Sequence, residues 1–178
     1  ADDNNGLAII DISDPTSPSA PTYKDDGYDT KAIHVEGDYA YLAAGNGILI
    51  IDITNLATPS VYLGLGGNAR DICVSGNYAY LITYNHIVIV DITTPTSPTL
   101  MSNQVIFHTT PEGIFVSGDY AYSSEIFSID EGWINVWDVS NPSSPSIIES
   151  LYLQGSWGGD KAIDSVVTGN YIYIAQSG

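Results

Sequence analysis

The chain has 178 residues, of which 44% are apolar, so it is long enough and apolar enough to form one domain with its own core. Four basic residues stand against 21 acidic ones, which gives a formal net charge of −17. This balance argues against nucleic-acid binding, because phosphate neutralisation requires Lys and Arg. It favours a solvated acidic surface, with cations, basic proteins or neutral glycans as partners. We expect no membrane insertion and no signal peptide, because no apolar run is long enough for a span and no signal pattern is recognised.

Three short motifs recur in phase along the chain, at a period of roughly 40 residues that is typical of repeat architectures. The first is an apolar run that ends in an aspartate and a hydroxyl residue, at 6–13, 47–54, 86–93 and 133–140. The second is Gly-Asp/Asn-Tyr-Ala/Ile-Tyr, at 37–41, 76–80, 118–122 and 169–173. The third is a Pro-x-x-Pro turn, at 15–18, 95–98 and 142–145. Together they define one repeating unit.

Each unit is predicted to contain four strands, a to d. The Gly-Asp or Gly-Asn pair forms a tight hairpin between strands a and b, because both residue types tolerate the positive φ of such turns. Strand c is the apolar run, and its two apolar faces require cover on both sides of the sheet. The prolines end strand c and precede strand d. Four-stranded units covered on both faces are typical of β-propeller blades, whereas the alternative, a β-sandwich, needs one polar face.

The repeats lie at about 31–65, 69–106 and 111–153, and a fourth is assembled from 162–178 together with 1–24. We therefore predict a single all-β domain over 1–178. It is a propeller of four four-stranded repeats whose ring closes when N-terminal strands c and d pair with C-terminal strands a and b. This shared sheet would protect exposed strand edges. The alternatives are half of an eight-bladed ring and a strand-exchanged assembly.

The combined pattern resembles the LVIVD repeat family. The resemblance is carried by Ile48-Leu49-Ile50-Ile51-Asp52 and its copies, with Gly-Asp-Tyr-Ala-Tyr upstream and Asp-Pro-x-x-Pro downstream, and it covers nearly all of the chain. These are propeller-forming repeats of bacterial and archaeal proteins, many of them predicted to lie at the cell surface. The resemblance implies a propeller in an extracellular or cell-surface location. It supplies no catalytic residues.

Ligands of propellers usually meet the face that carries the d–a and b–c loops, and we expect the same here by analogy of fold. Two segments of this face are expanded, at 124–132 and 153–160, and insertions on one face of a repeat array often mark the binding face. The candidate ligand-binding residues are Asp71, Asp164, Glu125, Asp130, Trp133 and Trp157. Asp71 and Asp164 occupy equivalent repeat positions. They form either a carboxylate pair across the channel or caps of their own turns.

A second acidic cluster is a candidate metal site. Asp25, Asp26 and Asp29 place three carboxylates within five residues, and calcium prefers several oxygen ligands. The spacing does not match the twelve-residue calcium loop, so a solvated turn is the alternative. The repeated aspartates Asp11, Asp52, Asp91 and Asp138 are predicted to accept turn N–H groups. The single cysteine, Cys73, is predicted to be a buried apolar residue.

No nucleophile, phosphate-loop or metal-ligand motif is present in the sequence. We therefore predict a non-enzymatic structural or interaction module that presents loops to a protein or glycan partner, or to neighbouring copies of itself. The alternative is a propeller enzyme that uses acidic channel residues on an extracellular polysaccharide or a similar substrate. The two differ in whether two carboxylates converge in an open channel.

Overall fold

The computed structural model describes residues 6–24, 27–106, 110–128, 131–154 and 161–177, and they form sixteen antiparallel strands. The strands are β1 (Leu7–Ile9), β2 (Thr22–Lys24), β3 (Thr30–Glu36), β4 (Tyr39–Ala44), β5 (Gly47–Asp52), β6 (Val61–Gly64), β7 (Asp71–Ser75), β8 (Tyr78–Ile82), β9 (His86–Asp91), β10 (Thr99–Val105), β11 (Thr110–Ser117), β12 (Tyr120–Ser128), β13 (Glu131–Asp138), β14 (Ser146–Gln154), β15 (Lys161–Thr168) and β16 (Tyr171–Ser177).

These strands form three complete four-stranded sheets and two half-sheets. Sheet I is β3–β6, sheet II is β7–β10 and sheet III is β11–β14, and each is a simple meander. The N-terminal half-sheet is β1–β2 and the C-terminal half-sheet is β15–β16. The predicted a–b–c–d order is therefore confirmed in each complete sheet.

The predicted turns form at the predicted residues. Gly37, Gly76, Gly118 and Gly169, which open the four a–b hairpins, have φ between 58° and 59°. Glycine adopts this left-handed conformation without the steric cost that a Cβ imposes. After strand c, the four repeated aspartates accept the backbone N–H two residues on, at 2.8–2.9 Å. Their architectural role is thus confirmed. Hydrogen bonds from the hydroxyl group and the backbone N–H of the Ser or Thr two residues on lower the pKa of each aspartate; the hydroxyl has the larger effect on Asp52, Asp91 and Asp138, and the backbone N–H on Asp11.

The core lies between successive sheets rather than within one layer. One apolar cluster joins the N-terminal half-sheet to sheet I, a second joins sheets I and II, and a third joins sheets II and III. The strand c residues of sheets I and II are buried on both faces, as Ile50 and Ile51 illustrate at 2% and 0% exposure. One face of each sheet therefore packs against the preceding sheet and the other against the following one, which is the packing of propeller blades.

The two half-sheets are separate in this structure. Within the described ranges, no backbone pairing joins β1 or β2 to β15 or β16. The predicted closing sheet is thus not observed, and closure of the ring stays a prediction. The described part of the chain also contains no helix that is apolar and long enough to cross a membrane.

Candidate functional site

Sheet III breaks the repeat at its centre, where polar residues replace the apolar core. In sheet I the directly paired residues of strands b and c are Leu42 and Leu49, and in sheet II they are Leu81 and Val88. All four are at most 2% exposed. The equivalent pair in sheet III is Ser123 and Asn135. Two residues further along the chain, Glu125 lies at the position that Ala44 occupies in sheet I and Thr83 occupies after strand b of sheet II.

These polar residues lie on the face of sheet III that packs against sheet II. The apolar members of this face, Ala121 and Trp137, belong to the same cluster as Tyr80, Ile87 and other residues of sheet II. Glu125, Ser123 and Asn135 are 1%, 0% and 6% exposed. A buried polar group costs stability unless it is hydrogen-bonded, so the partners of each side chain decide the energetics of this site.

A hydrogen-bonded network connects the group across three strands. The Asn135 amide and the Ser123 hydroxyl both donate to Oε1 of Glu125, the latter at 3.1 Å. The Trp137 indole donates to the Ser123 hydroxyl at 3.0 Å, and the Ser150 hydroxyl donates to Oδ1 of Asn135 at 2.5 Å. A network that is connected in this way rigidifies its surroundings and specifies their geometry.

Burial dominates the ionisation of Glu125. Removal of the carboxyl group from water raises its pKa from 4.5 to about 7, against the smaller lowering effects of the Asn135 and Ser123 hydrogen bonds. The side chain therefore changes its charge near neutral pH.

An aromatic pair lies beside this network. Trp133 is the cross-strand partner of Glu125, and Tyr152 is the partner of Trp133 on the other side. The two rings are 5.0 Å apart between centroids and are tilted by 53°. Tyr152 is 42% exposed and Trp133 is half-buried, so the pair forms an accessible amphipathic surface next to the buried carboxyl group.

Asp71 is part of a clamp between sheets II and III. Its Oδ2 accepts the backbone N–H of Ile114 in β11 at 2.8 Å, and its Oδ1 accepts the N–H of Ile72 at the same distance. Beside it, the Arg70 guanidinium pairs with Glu112 of β11 at 2.5 Å. Both carboxylate oxygens of Asp71 thus accept backbone N–H groups of strands, one in its own sheet and one in the following sheet. The partner proposed for it, Asp164, pairs with Ala175 in the backbone register, and its side chain lies outside the described part.

Of the remaining predicted site residues, the structure describes only Asp29. The Asp29 carboxylate pairs with the Lys31 ammonium at 3.1 Å, on an exposed surface. Asp25, Asp26, Asp130 and Trp157 lie outside the described residues. Among the residues that are described, no group of three potential metal ligands is present. The calcium site and the ligand-binding residues therefore stay predictions.

Sequence reasoning selected Glu125 and Trp133 but missed the residues that hold them. These residues are serines and an asparagine, namely Ser123, Asn135 and Ser150. Such residues are common in turns, so they do not stand out in the sequence. An available signal was the alignment of strands b and c between repeats. It places Ser123 and Asn135 at positions that are leucine or valine in sheets I and II, whereas the position of Ser150 is Tyr62 in sheet I and Asn103 in sheet II.

Stacked four-stranded antiparallel sheets with a core between successive sheets define the class of protein as a β-propeller. The chain belongs to the LVIVD repeat family. The family model matches five stretches, at residues 1–22, 27–63, 66–104, 111–152 and 159–178. The resemblance that the repeated motifs indicated is therefore confirmed. No curated protein sequence matches the chain.

Solved structures support the same fold. The computationally designed Ika8 protein matches with a TM-score of 0.66 at 13% identity, over 97% of this chain and 50% of that protein. The designed Ika4 protein matches with a TM-score of 0.56 at 13% identity, over 83% of this chain and 84% of that protein. The β-propeller domain of Cps50 (Swd1) from Myceliophteria thermophila matches with a TM-score of 0.66 at 13% identity, over 91% of this chain and 57% of that chain. The chain thus spans about half the length of two of these three structures.

Proposed function

We propose that this protein is a non-enzymatic interaction module of an extracellular or cell-surface location. In this proposal, sheet III presents the Trp133–Tyr152 pair to a protein partner. The observation that carries the proposal is the break in the repeat. Sheet III alone among the complete sheets replaces its apolar centre with a hydrogen-bonded network, and an accessible aromatic pair lies directly beside it. Aromatic side chains with a polar neighbour are typical of the centres of protein interfaces.

The charge of the chain indicates what kind of partner this surface meets. A formal charge of −17 attracts basic proteins and repels acidic ones at long range. The partner we expect therefore carries a basic surface, and its association slows as salt screens the field. A neutral glycan is the competing ligand, because it stacks on aromatic rings and does not respond to salt.

The test compares the wild-type chain with a double variant, Trp133→Ala with Tyr152→Ala. Each chain is immobilised and exposed to an extract of the source cells, and bound proteins are quantified by mass spectrometry at low and high salt. The matched control is Tyr120→Ala, because Tyr120 is similarly exposed on the same strand as Glu125 but at its other end. A fluorescently labelled chain on an array of neutral glycans tests the competing ligand.

We expect wild type and the control to capture a basic protein. The double variant should capture at least about tenfold less of it. Salt-insensitive glycan binding that depends on the same two residues would replace the protein partner by a glycan. If the double variant captures the same proteins as wild type, the site on sheet III is wrong. Fractionation of source cells and labelling of intact cells test the proposed location.

One observation favours the enzymatic alternative. A glutamate with a pKa of about 7 has the ionisation of a general acid at neutral pH. The described part of the network holds no second carboxylate, and polysaccharide hydrolysis normally uses two. The discriminating assay is the release of reducing ends from a panel of polysaccharides. Release of reducing ends by the wild-type chain, and its loss in Glu125→Gln, would support an enzyme.

A further inference from the structure

Large apolar side chains are exposed on both half-sheets at positions that form the core of the complete sheets. Tyr173 in β16 is 56% exposed, whereas its equivalents Tyr41 and Tyr80 are each 4% exposed. Ile10, which follows β1, is 48% exposed, whereas its equivalent Ile51 is fully buried. The same repeat position is therefore buried in the complete sheets and exposed in the half-sheets. Each half-sheet lacks the neighbouring sheet that covers this position in the complete sheets.

The half-sheets are complementary parts of one blade. The C-terminal half-sheet supplies strands a and b, and the N-terminal half-sheet supplies strands c and d. In sheet I, Ala40 of strand b pairs directly with Ile51 of strand c. The equivalent residues of the half-sheets are Ile172 and Ile10. A β15–β16–β1–β2 sheet in this register would pair both open strand edges and place each side chain on the face that its repeat position demands.

The neighbouring complete sheet shows where the missing strands belong. Ile33 and Val35 of β3 are 38% and 54% exposed, whereas their equivalents in β7, Ile72 and Val74, are 5% and 6% exposed against the preceding sheet. Strands a and b added to the N-terminal half-sheet would cover Ile33 and Val35.

The C-terminal half-sheet carries the matching surface. Val166, Tyr173 and Ala175 line an open groove on its outer face. The equivalent residues of sheet I and sheet II include Ala43 and Cys73, which are buried against the following sheet. The two exposed surfaces are therefore the two sides of one inter-sheet contact.

We propose that a second copy of this chain completes each half-sheet. The C-terminal half-sheet of one copy pairs with the N-terminal half-sheet of the other, and the reciprocal joint closes a two-fold symmetric ring. The half-sheets of one chain lie in separate sheets in this structure. The sheets of this chain also match half of the designed Ika8 protein, with a TM-score of 0.66, better than they match the designed Ika4 protein, with a TM-score of 0.56. This inference does not depend on the aromatic site of sheet III.

Engineered cysteines test the joint in a Cys73→Ala background. Directly paired residues of adjacent strands lie close enough for a disulfide. A chain with Ile10→Cys is mixed with a chain carrying Ile172→Cys under mild oxidation, and the products are separated by non-reducing gel and mass spectrometry. The matched control replaces Ile172→Cys by Tyr84→Cys, at an exposed position away from both half-sheets.

We expect a covalent dimer that contains one chain of each kind, and no dimer with the control. A chain that carries both cysteines and yields only an internally linked monomer would overturn the second copy in favour of self-closure. The absence of any cross-link would overturn blade completion altogether.

A second measurement uses single substitutions on the exposed surfaces. Tyr173→Asp and Ile10→Asp place a charge in the joint but on the surface of the separate chain, so each variant is expected to keep its β circular dichroism and to lose the dimer mass. Tyr84→Asp is the control and is expected to keep both. A Tyr173→Asp chain that stays dimeric contradicts the proposed joint.

Discussion

Replacing Glu125 by glutamine isolates the energetic effect of one buried carboxyl group. Glutamine keeps the size of the side chain and an oxygen acceptor for Ser123 and Asn135, but it carries no charge. The folded pKa of Glu125 is about 7 against an ordinary value of 4.5. Because the folded pKa is raised, the stability linked to its proton is fully present below pH 4.5 and is lost as the pH rises through 7.

The size of this effect follows from the shift in pKa. Each pKa unit corresponds to about 1.4 kcal/mol, so ionising the buried group costs on the order of 3 kcal/mol of unfolding free energy by pH 8.5. Glu125→Gln removes this cost. We therefore expect the variant to be within about 1 kcal/mol of wild type at pH 5, and more stable than wild type by roughly 2–3 kcal/mol at pH 8.5.

The assay is urea unfolding of both chains at half-unit pH steps from 5 to 9, with the slope of each transition compared as well as its midpoint. Glu149→Gln serves as the control, because Glu149 is exposed on β14 of the same sheet. This variant shows how much of any pH dependence comes from the loss of one exposed carboxylate. A stability difference between wild type and Glu125→Gln that is constant from pH 5 to 9 would refute the account of the network.

Three further predictions concern the sheets themselves. Asp71→Ala removes the acceptor of two backbone N–H groups, that of Ile72 in its own strand and that of Ile114 in sheet III, and we expect a loss of about 1–3 kcal/mol in urea unfolding; an unchanged midpoint would contradict the clamp. Gly47→Ala places a Cβ 2.0 Å from the carbonyl oxygen of Leu63, so it should cost roughly 3 kcal/mol or more, whereas Gly64→Ala meets only a side chain at 3.8 Å and should be tolerated. Equal stabilities of the two variants would count against the close strand approach. Cys73 is 7% exposed, and burial raises the pKa of its thiol, so a thiol reagent should react with it only after unfolding; rapid reaction of the native chain would show that sheets II and III separate.

Much of the fold was predictable because each local sequence signal occurs in several repeats. The Gly-Asp and Gly-Asn pairs predicted the a–b hairpins, and Gly37 and its equivalents adopt the required positive φ. The apolar runs predicted strands covered on both faces, and Ile50 with Ile51 shows this burial. Each of these signals depends on neighbouring residues along the chain, so a single sequence is sufficient to detect it.

The site was less predictable because it depends on contacts between strands and between sheets. Glu125 was selected from the predicted loop at 124–132, which is wrong for this residue because the structure places it in strand β12. Trp133 was selected at the start of the predicted strand at 133–140, and it pairs with Glu125 from β13. The role of Asp71 depends on a backbone N–H in the following sheet, more than 40 residues away. Closure of the ring depends on how far each sheet turns relative to the last, and repeat length does not determine that angle.

The mass of the chain in solution tests the central structural claim most directly. Native mass spectrometry of the 178-residue chain, at micromolar concentration and neutral pH, measures whether the half-sheets are completed by a second copy. The account predicts a discrete species at twice the chain mass of 19.0 kDa, which Tyr173→Asp converts to the single chain. A wild-type chain that remains at 19.0 kDa throughout would contradict it.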